Sequence, residues 1–498
     1  MDRRSFLQST AFTAFAATAT TPWRYLSAAE LNDAEVPATL SAMRGTGEHV
    51  TISSGELKDL AKALRGRLLL PQSEGYEKAR HIQNPAIDKH PAMIVQVTGV
   101  VDIQTAVAFA REHHLLVAVK CGGHSFSGQS TCDGGMMIDL SGIPGVRVDP
   151  AAKTAWVSGG TLLGLIDREA MAHELVTTMG TVSHTGVGGL VTGGGVGRLS
   201  RRFGMAIDNL LSVDMVTPDG KAVHASATEN ADLFWAVRGG GGNFGIVTAF
   251  EFQLHHMQRE ALGGPILFGP EKSADVIKMF AEYSVNAPVE LDLSLGYRRE
   301  GTTIVVCYTG DMKDADKALA PIRKLGPTSD KVAATTYVDI QRSGDMKATS
   351  ADPRMTMGQY MKARFIERIT PDLAKAVADA VAKRNLTVNF AGGCGMRGVK
   401  ATDTAFTHRY ARHNMLCGTG WKLSEDGAGP MKNVRDFWNE MEPYLGGGGF
   451  YFNDAPTDAI MDNSNYRENY PRLVQLKNKY DPGNLFRLNA NILPTVKG

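Results

Sequence analysis

Glycine is not spread evenly along this chain but gathered into three runs, and these limit what the surrounding backbone can be. They are Cys121-Gly122-Gly123-His124-Ser125-Phe126-Ser127-Gly128, then Gly186-Val187-Gly188-Gly189-Leu190-Val191-Thr192-Gly193-Gly194-Gly195-Val196-Gly197, then Gly239-Gly240-Gly241-Gly242-Asn243-Phe244-Gly245. Glycine takes positive φ without strain and lets successive N–H groups converge on phosphate oxygens. One such run alone reads better as turns and tight backbone packing. Three within one region suit a large dinucleotide better than a single phosphate. The spacing around Gly193, Gly195 and Gly197 is not G-x-G-x-x-G, and G-x-x-x-x-G-K-[ST] is absent, which disfavours a Rossmann dehydrogenase and a P-loop NTPase.

A chain of 498 residues exceeds one ordinary core, so two domains are expected. Lys plus Arg number 53 against 52 for Asp plus Glu, a balance that gives no general attraction to nucleic acid or an anionic membrane. Five cysteines, Cys121, Cys132, Cys307, Cys394 and Cys417, without paired C-x-x-C spacing are neither a disulfide framework nor a zinc site. They read as one bridge formed after export or, more simply, as buried thiols. The pairs His113-His114 and His255-His256 lack ligand spacing, so no metal is expected. Asp2-Arg3-Arg4-Ser5-Phe6-Leu7 ahead of a short apolar stretch looks like a twin-arginine signal over residues 1–29, implying a periplasmic or secreted protein. No run is long enough for a membrane span.

Periodicity predicts a helix over residues 57–70, a strand over 92–97, a helix behind Asp102 as its cap, and a strand over 115–119. Short strands follow within 136–158, then a helix over 162–173, a long loop from 179 to 197, a short helix near 199–203, and strands at 211–217, 222–225 and 246–254. From about residue 260 the texture changes to charged helices (274–283, 314–325, 372–384, 431–441) alternating with strands (291–297, 302–308, 387–390). This has the pattern of an inserted second domain.

Four ordered stretches then resemble one family. Gly122-Gly123-His124-Ser125 resembles the covalent-flavin loop of the berberine-bridge-enzyme-like branch of the vanillyl-alcohol-oxidase/PCMH-type superfamily. The second glycine run with Leu199-Ser200-Arg201-Arg202-Phe203-Gly204, the stretch from Phe234 to Val247, and the C-terminal Tyr451-Phe452-Asn453 and Tyr480-Asp481-Pro482-Gly483-Asn484-Leu485-Phe486-Arg487 are similar to its other elements. The resemblance implies an α+β fold: a two-part PCMH-type FAD-binding domain (30–258, completed by 448–498) with an inserted α/β substrate domain (259–447), an antiparallel sheet covered by helices.

It also implies FAD held through His124 and lined by Lys120, Cys121, Gly122, Gly123, Ser125, Phe126, Gly128, Gly180, Thr181, Ser183, His184, Gly186, Gly188, Gly189, Gly193, Gly197, Ile246 and Val247, with Asn489 or Asn491 closing over it. Many members attach the flavin twice, the second time through a cysteine; Val182 stands at that position here, so a single link is expected. Tyr451 is the expected base, with Arg409 as activator, since a free phenol ionises only near pH ~10. His184 either contacts substrate or flavin or serves as an ordinary loop histidine. Tyr297, Tyr308, Tyr337, Tyr360, Arg364 and Trp421 line a substrate cleft or belong to ordinary core and surface. The expected activity is hydride removal from a small alcohol, sugar, phenolic or amine substrate, with O2 as acceptor. The alternatives are a dehydrogenase using another acceptor and a non-catalytic flavin-binding module.

Overall fold

The computed structural model describes residues 36–345, 356–392, 398–446, 449–454 and 465–496; the signal segment and Cys394 lie outside them. Three sheets carry the architecture. Residues Arg67–Leu69, Met93–Gln96, Met136–Asp139 and Val117–Lys120 form a four-stranded sheet in that order, with the last three parallel. A five-stranded antiparallel sheet runs Ala222–Ser226, Leu210–Val216, Ile246–Gln253, Thr154–Ser158 and Val146–Asp149. An eight-stranded antiparallel sheet lies entirely within the predicted insert, from Glu260–Phe268 to His413–Lys422.

The insert's sheet is amphipathic by strict alternation. Leu291, Leu293 and Leu295, Val388 and Phe390, and Met415 and Cys417 pack into one core with the helices Ser273–Asn286, Ala315–Arg323, Pro371–Lys383 and Ala428–Met441. Their neighbours Ala391, Asn414 and Leu416 therefore point to the opposite face, toward the FAD-type domain.

The predicted elements need four revisions. The helix expected over 57–70 is Ser54–Ala63 followed by the strand Arg67–Leu69; Gly66 divides them, because a Cβ there would meet the Gln96 carbonyl oxygen at 1.9 Å. Asp102 does not cap its helix, which begins at Val100. Its carboxylate instead accepts from the Arg65, Gly66 and Thr98 amides at 2.8–3.0 Å, tying that turn to the sheet edge. The loop from 179 to 197 contains a helix, Val187–Thr192, and the long strands Met357–Ile366 and His413–Lys422 join the insert.

The C-terminal segment returns to the first domain through helix Tyr470–Tyr480. Lys477 is fully buried there and donates to Asp481, the Asn243 carbonyl and the Phe486 carbonyl at 2.7–2.9 Å. Asn243 also accepts from the Ile492 amide at 3.0 Å, so the third glycine run and the tail are locked together. Lys477→Met is expected to lower stability by about 3–5 kcal/mol, because it strands the Asp481 charge away from water; thermal unfolding measures this.

Candidate active site

The three glycine runs, the tail and one face of the insert's sheet enclose a single cavity of about 530 Å³. Strand Val117–Lys120 enters it by alternation. Val117, Val119 and Cys121 line the space, while Lys120 turns to the far side, where its ammonium bonds the Ala79 carbonyl and lies 3.5 Å from Asp139. Lys120 is therefore not a cavity residue, contrary to expectation. Gly122, Gly123, His124, Ser125, Phe126, Gly180, Thr181, Gly186, Gly188, Gly189, Gly193, Ile246, Val247 and Asn489 do line it.

Several expected residues stand just outside the lining. Gly197 serves close packing, since a Cβ there would meet the Met179 carbonyl oxygen at 1.7 Å. Gly128 takes φ +72° in the turn that closes the first loop, and its carbonyl accepts from Lys89. Ser183 donates to Asp345 at 2.6 Å. Asn491 lies beyond the lining; Asn489 lines it, and its backbone carbonyl accepts from Gln129 of the first loop at 3.1 Å.

The residues fit a large flavin dinucleotide. At Gly189 and Gly242 a Cβ would project into open space with nothing within 4 Å, and at Gly241 it would meet only Asn243 Nδ2 at 4.0 Å, on backbone that lines the cavity. The Asn489 side-chain carbonyl and the Ser130 hydroxyl are also buried at the cavity wall with no hydrogen-bond partner among the described residues. Buried polar atoms of that kind are costly unless something polar meets them.

His124 is half-buried in this wall. Its Nε2 lies 2.5 Å from His184 Nδ1, and its Nδ1 lies 3.4 Å from the Thr185 hydroxyl. Burial first, and the neighbouring His184 second, push its pKa down to about 3, so the imidazole is neutral at working pH and keeps a nucleophilic lone pair. His184 does not itself line the cavity; it meets His124 from behind.

Tyr451 lines the cavity as expected, but without its expected activator. Its hydroxyl oxygen accepts from the Gly195 and Val196 amides at 3.0 and 3.2 Å and from Asn453 at 2.7 Å. Burial, and then the nearby Asp454, push the phenol further up from its ordinary range. Arg409 is committed elsewhere, in a bidentate pair with Asp208 at 2.8 Å and a bond to Thr404. Two interactions, donors on the oxygen and burial around it, thus pull oppositely on Tyr451, and the enclosed site favours the neutral form. Tyr451→Phe is expected to cost about 1–3 kcal/mol by orphaning the two loop amides, which chemical denaturation of the two proteins compares.

The sequence reading missed an acid that the fold brings in. Asp454 keeps part of its surface open to the cavity while protein crowds its carboxyl group, and this burial pushes its pKa up to about 6. The Asn414 amide donates to it at 2.8 Å. Asn414 is buried, lines the same cavity, and its side-chain oxygen has no partner among the described residues. Asp454 follows Tyr451-Phe452-Asn453 directly, which was the available signal. None of Tyr297, Tyr308, Tyr337, Tyr360, Arg364 and Trp421 lines the cavity; Tyr308, Tyr337 and Tyr360 are core. Cys121, Cys132, Cys307 and Cys417 are free thiols, and no helix among the described residues is long and apolar enough to cross a membrane.

Comparison with known proteins agrees with this geometry. Residues 91–226 match a family model described as an FAD binding domain, and residues 437–493 match one described as berberine and berberine like. An FAD-linked oxidoreductase of Dictyostelium discoideum is 29% identical over 88% of this chain and 97% of its own length. The (R)-6-hydroxynicotine oxidase of Paenarthrobacter nicotinovorans is 29% identical over 87% of this chain and 97% of its own. Among solved structures, the glucooligosaccharide oxidase of Acremonium strictum, described with a 6-S-cysteinyl, 8α-N1-histidyl FAD, superposes with a TM-score of 0.79 at 26% identity, covering 88% of this chain and 98% of that one. With the cradle, the tail and the insert all in place, this chain is an FAD-linked oxidoreductase that carries an FAD binding domain and a berberine-like C-terminal domain.

Proposed function

We propose that this FAD-dependent enzyme oxidises a CH–OH or CH–NH group of a small substrate and passes the electrons to O2, with its flavin tethered through His124 alone. The observation that carries this reading is the meeting, in one cavity, of neutral His124 with the Asn414–Asp454 pair. Bound FAD supplies the hydride acceptor. The protein's part is to hold the cofactor on the glycine loops, orient the substrate, and accept the proton that leaves its O–H or N–H.

Asp454 is the proton acceptor in this reading, in place of Tyr451. A base with a pKa about 6 is ionised at neutral pH, whereas a buried phenol is not. The unpartnered Asn414 oxygen beside it offers a second acceptor for a donor group on the substrate. Relatives act on 6-hydroxynicotine and on chitooligosaccharides by name, so the substrate class here is an amine or a carbohydrate alcohol presented to those two acceptors. Val182, at the expected cysteine position, offers no sulfur there for a second attachment. Export by the twin-arginine route belongs to the same reading, since a folded carrier route suits a cofactor joined before export.

The test is to screen 6-hydroxynicotine and oligosaccharides against the purified yellow protein under nitrogen, following loss of flavin absorbance, and then to admit air. Bleaching followed by recovery with peroxide formation is expected. A flavin that no amine or sugar alcohol bleaches would overturn the assignment.

A further inference from the structure

We propose that His184 is the proton acceptor that lets His124 form its bond to the flavin, a positioning and proton-transfer role directed at cofactor loading rather than substrate turnover. This rests on the tethered-flavin reading above. The geometry points to it in three ways. His184 Nδ1 lies 2.5 Å from His124 Nε2, and the two rings stand 4.5 Å apart between centroids, tilted by 42°. One nitrogen of His124 is thus committed to His184, and Nδ1 is the one left to react, with only the long 3.4 Å approach of the Thr185 hydroxyl. His184 stays outside the cavity lining while His124 is part of it, so His184 acts on the attaching ring from its rear.

Two protonation arrangements satisfy one short contact between imidazoles, and only one is productive. With the proton on His124 Nε2, donated to His184 Nδ1, the lone pair of His124 sits on Nδ1 and can attack. With the proton reversed, His124 Nδ1 carries hydrogen and cannot. The Thr185 hydroxyl facing Nδ1 accommodates either arrangement, donating to the lone pair in the first and accepting from the N–H in the second. The balance of the reaction is closed. The bond formed joins His124 Nδ1 to a flavin ring methyl carbon; the bonds broken are one methyl C–H and His124 Nε2–H. The latter proton leaves through His184. Two electrons and two protons end on dioxygen as hydrogen peroxide. Burial that keeps His124 uncharged before attack also penalises the cation that attack would create, so a partner able to take the Nε2 proton as the bond forms removes that penalty.

The experiment compares the full-length protein with His184→Ala and His184→Gln. Each is made under limiting flavin and then given FAD in air, and samples are acid-precipitated at intervals to measure flavin in pellet and supernatant. The parent protein is expected to move its flavin into the pellet. His184→Ala should bind FAD, shown by flavin co-eluting with native protein, yet attach it about 100-fold or more slowly. His184→Gln supplies a carbonyl oxygen that can hold the Nε2–H and the ring but cannot take the proton, so attachment stays slow although binding is kept; it also checks that the alanine result is not misfolding. Attachment at the parent rate in either variant would overturn the proposal. A parent protein whose flavin stays wholly in the supernatant would instead remove the tether itself, and with it this role.

Discussion

Acid-precipitated His124→Ala protein is expected to come down colourless, with its flavin in the supernatant, while the parent pellet stays yellow. The effect is expected to be all or none because, among the described residues, no other nucleophile is ready at that wall. Val182 offers no sulfur, and burial pushes the Cys121 thiol up to about 11 and the Cys132 thiol up to about 12, so neither supplies thiolate at neutral pH. The three glycine runs, Asn489 and Ser130 are untouched by the substitution, so native His124→Ala should still elute with flavin bound. Flavin fluorescence on a denaturing gel separates the two states. A yellow pellet from the variant would show that another side chain carries the bond.

Asp454→Asn is expected to lower turnover by about 10²–10⁴-fold, the usual contribution of a placed base, while leaving the tethered flavin in place. The pH dependence distinguishes this from mere disturbance of the site. With its pKa raised to about 6 by burial, the Asp454 carboxylate is protonated and idle below that value and active above it. The parent rate therefore rises through about pH 6 to a plateau, and the asparagine variant loses that rising limb. Asn414 donates to the carboxylate at 2.8 Å and so favours its charged form; Asn414→Leu should move the limb to higher pH. A limb that persists unchanged in Asp454→Asn would return the role to another group.

The contrast between Tyr451 and Asp454 shows where sequence reading reached its limit. Both belong to one short segment, and the tyrosine was the residue that a matched motif singled out. The hydroxyl of Tyr451 turns out to anchor the Gly195 and Val196 amides, and Arg409, its expected activator, is paired with Asp208. Asp454 gains significance only because Asn414, forty positions earlier in the chain, is folded against it in the cavity lining. Similarly, Lys120 borders a matched motif but bonds the Ala79 carbonyl and pairs with Asp139, and Gly197 lies inside one but serves packing, since neither a side chain's direction on a strand nor the nearness of a distant carbonyl is written in spacing.

What the sequence determined by itself was local and repetitive: glycine runs that only permissive backbone can satisfy, strands and helices announced by their period, an odd count of cysteines without paired spacing, and a histidine set between Gly123 and Ser125. Only the tertiary structure decided which of these face one cavity. It put Asn414 and Asp454 together, set His184 behind His124, and turned Lys120 away. The reason is physical. Backbone conformation and periodicity depend on neighbours along the chain, whereas a raised carboxyl pKa or a committed imidazole nitrogen depends on low-dielectric surroundings built from segments hundreds of residues apart.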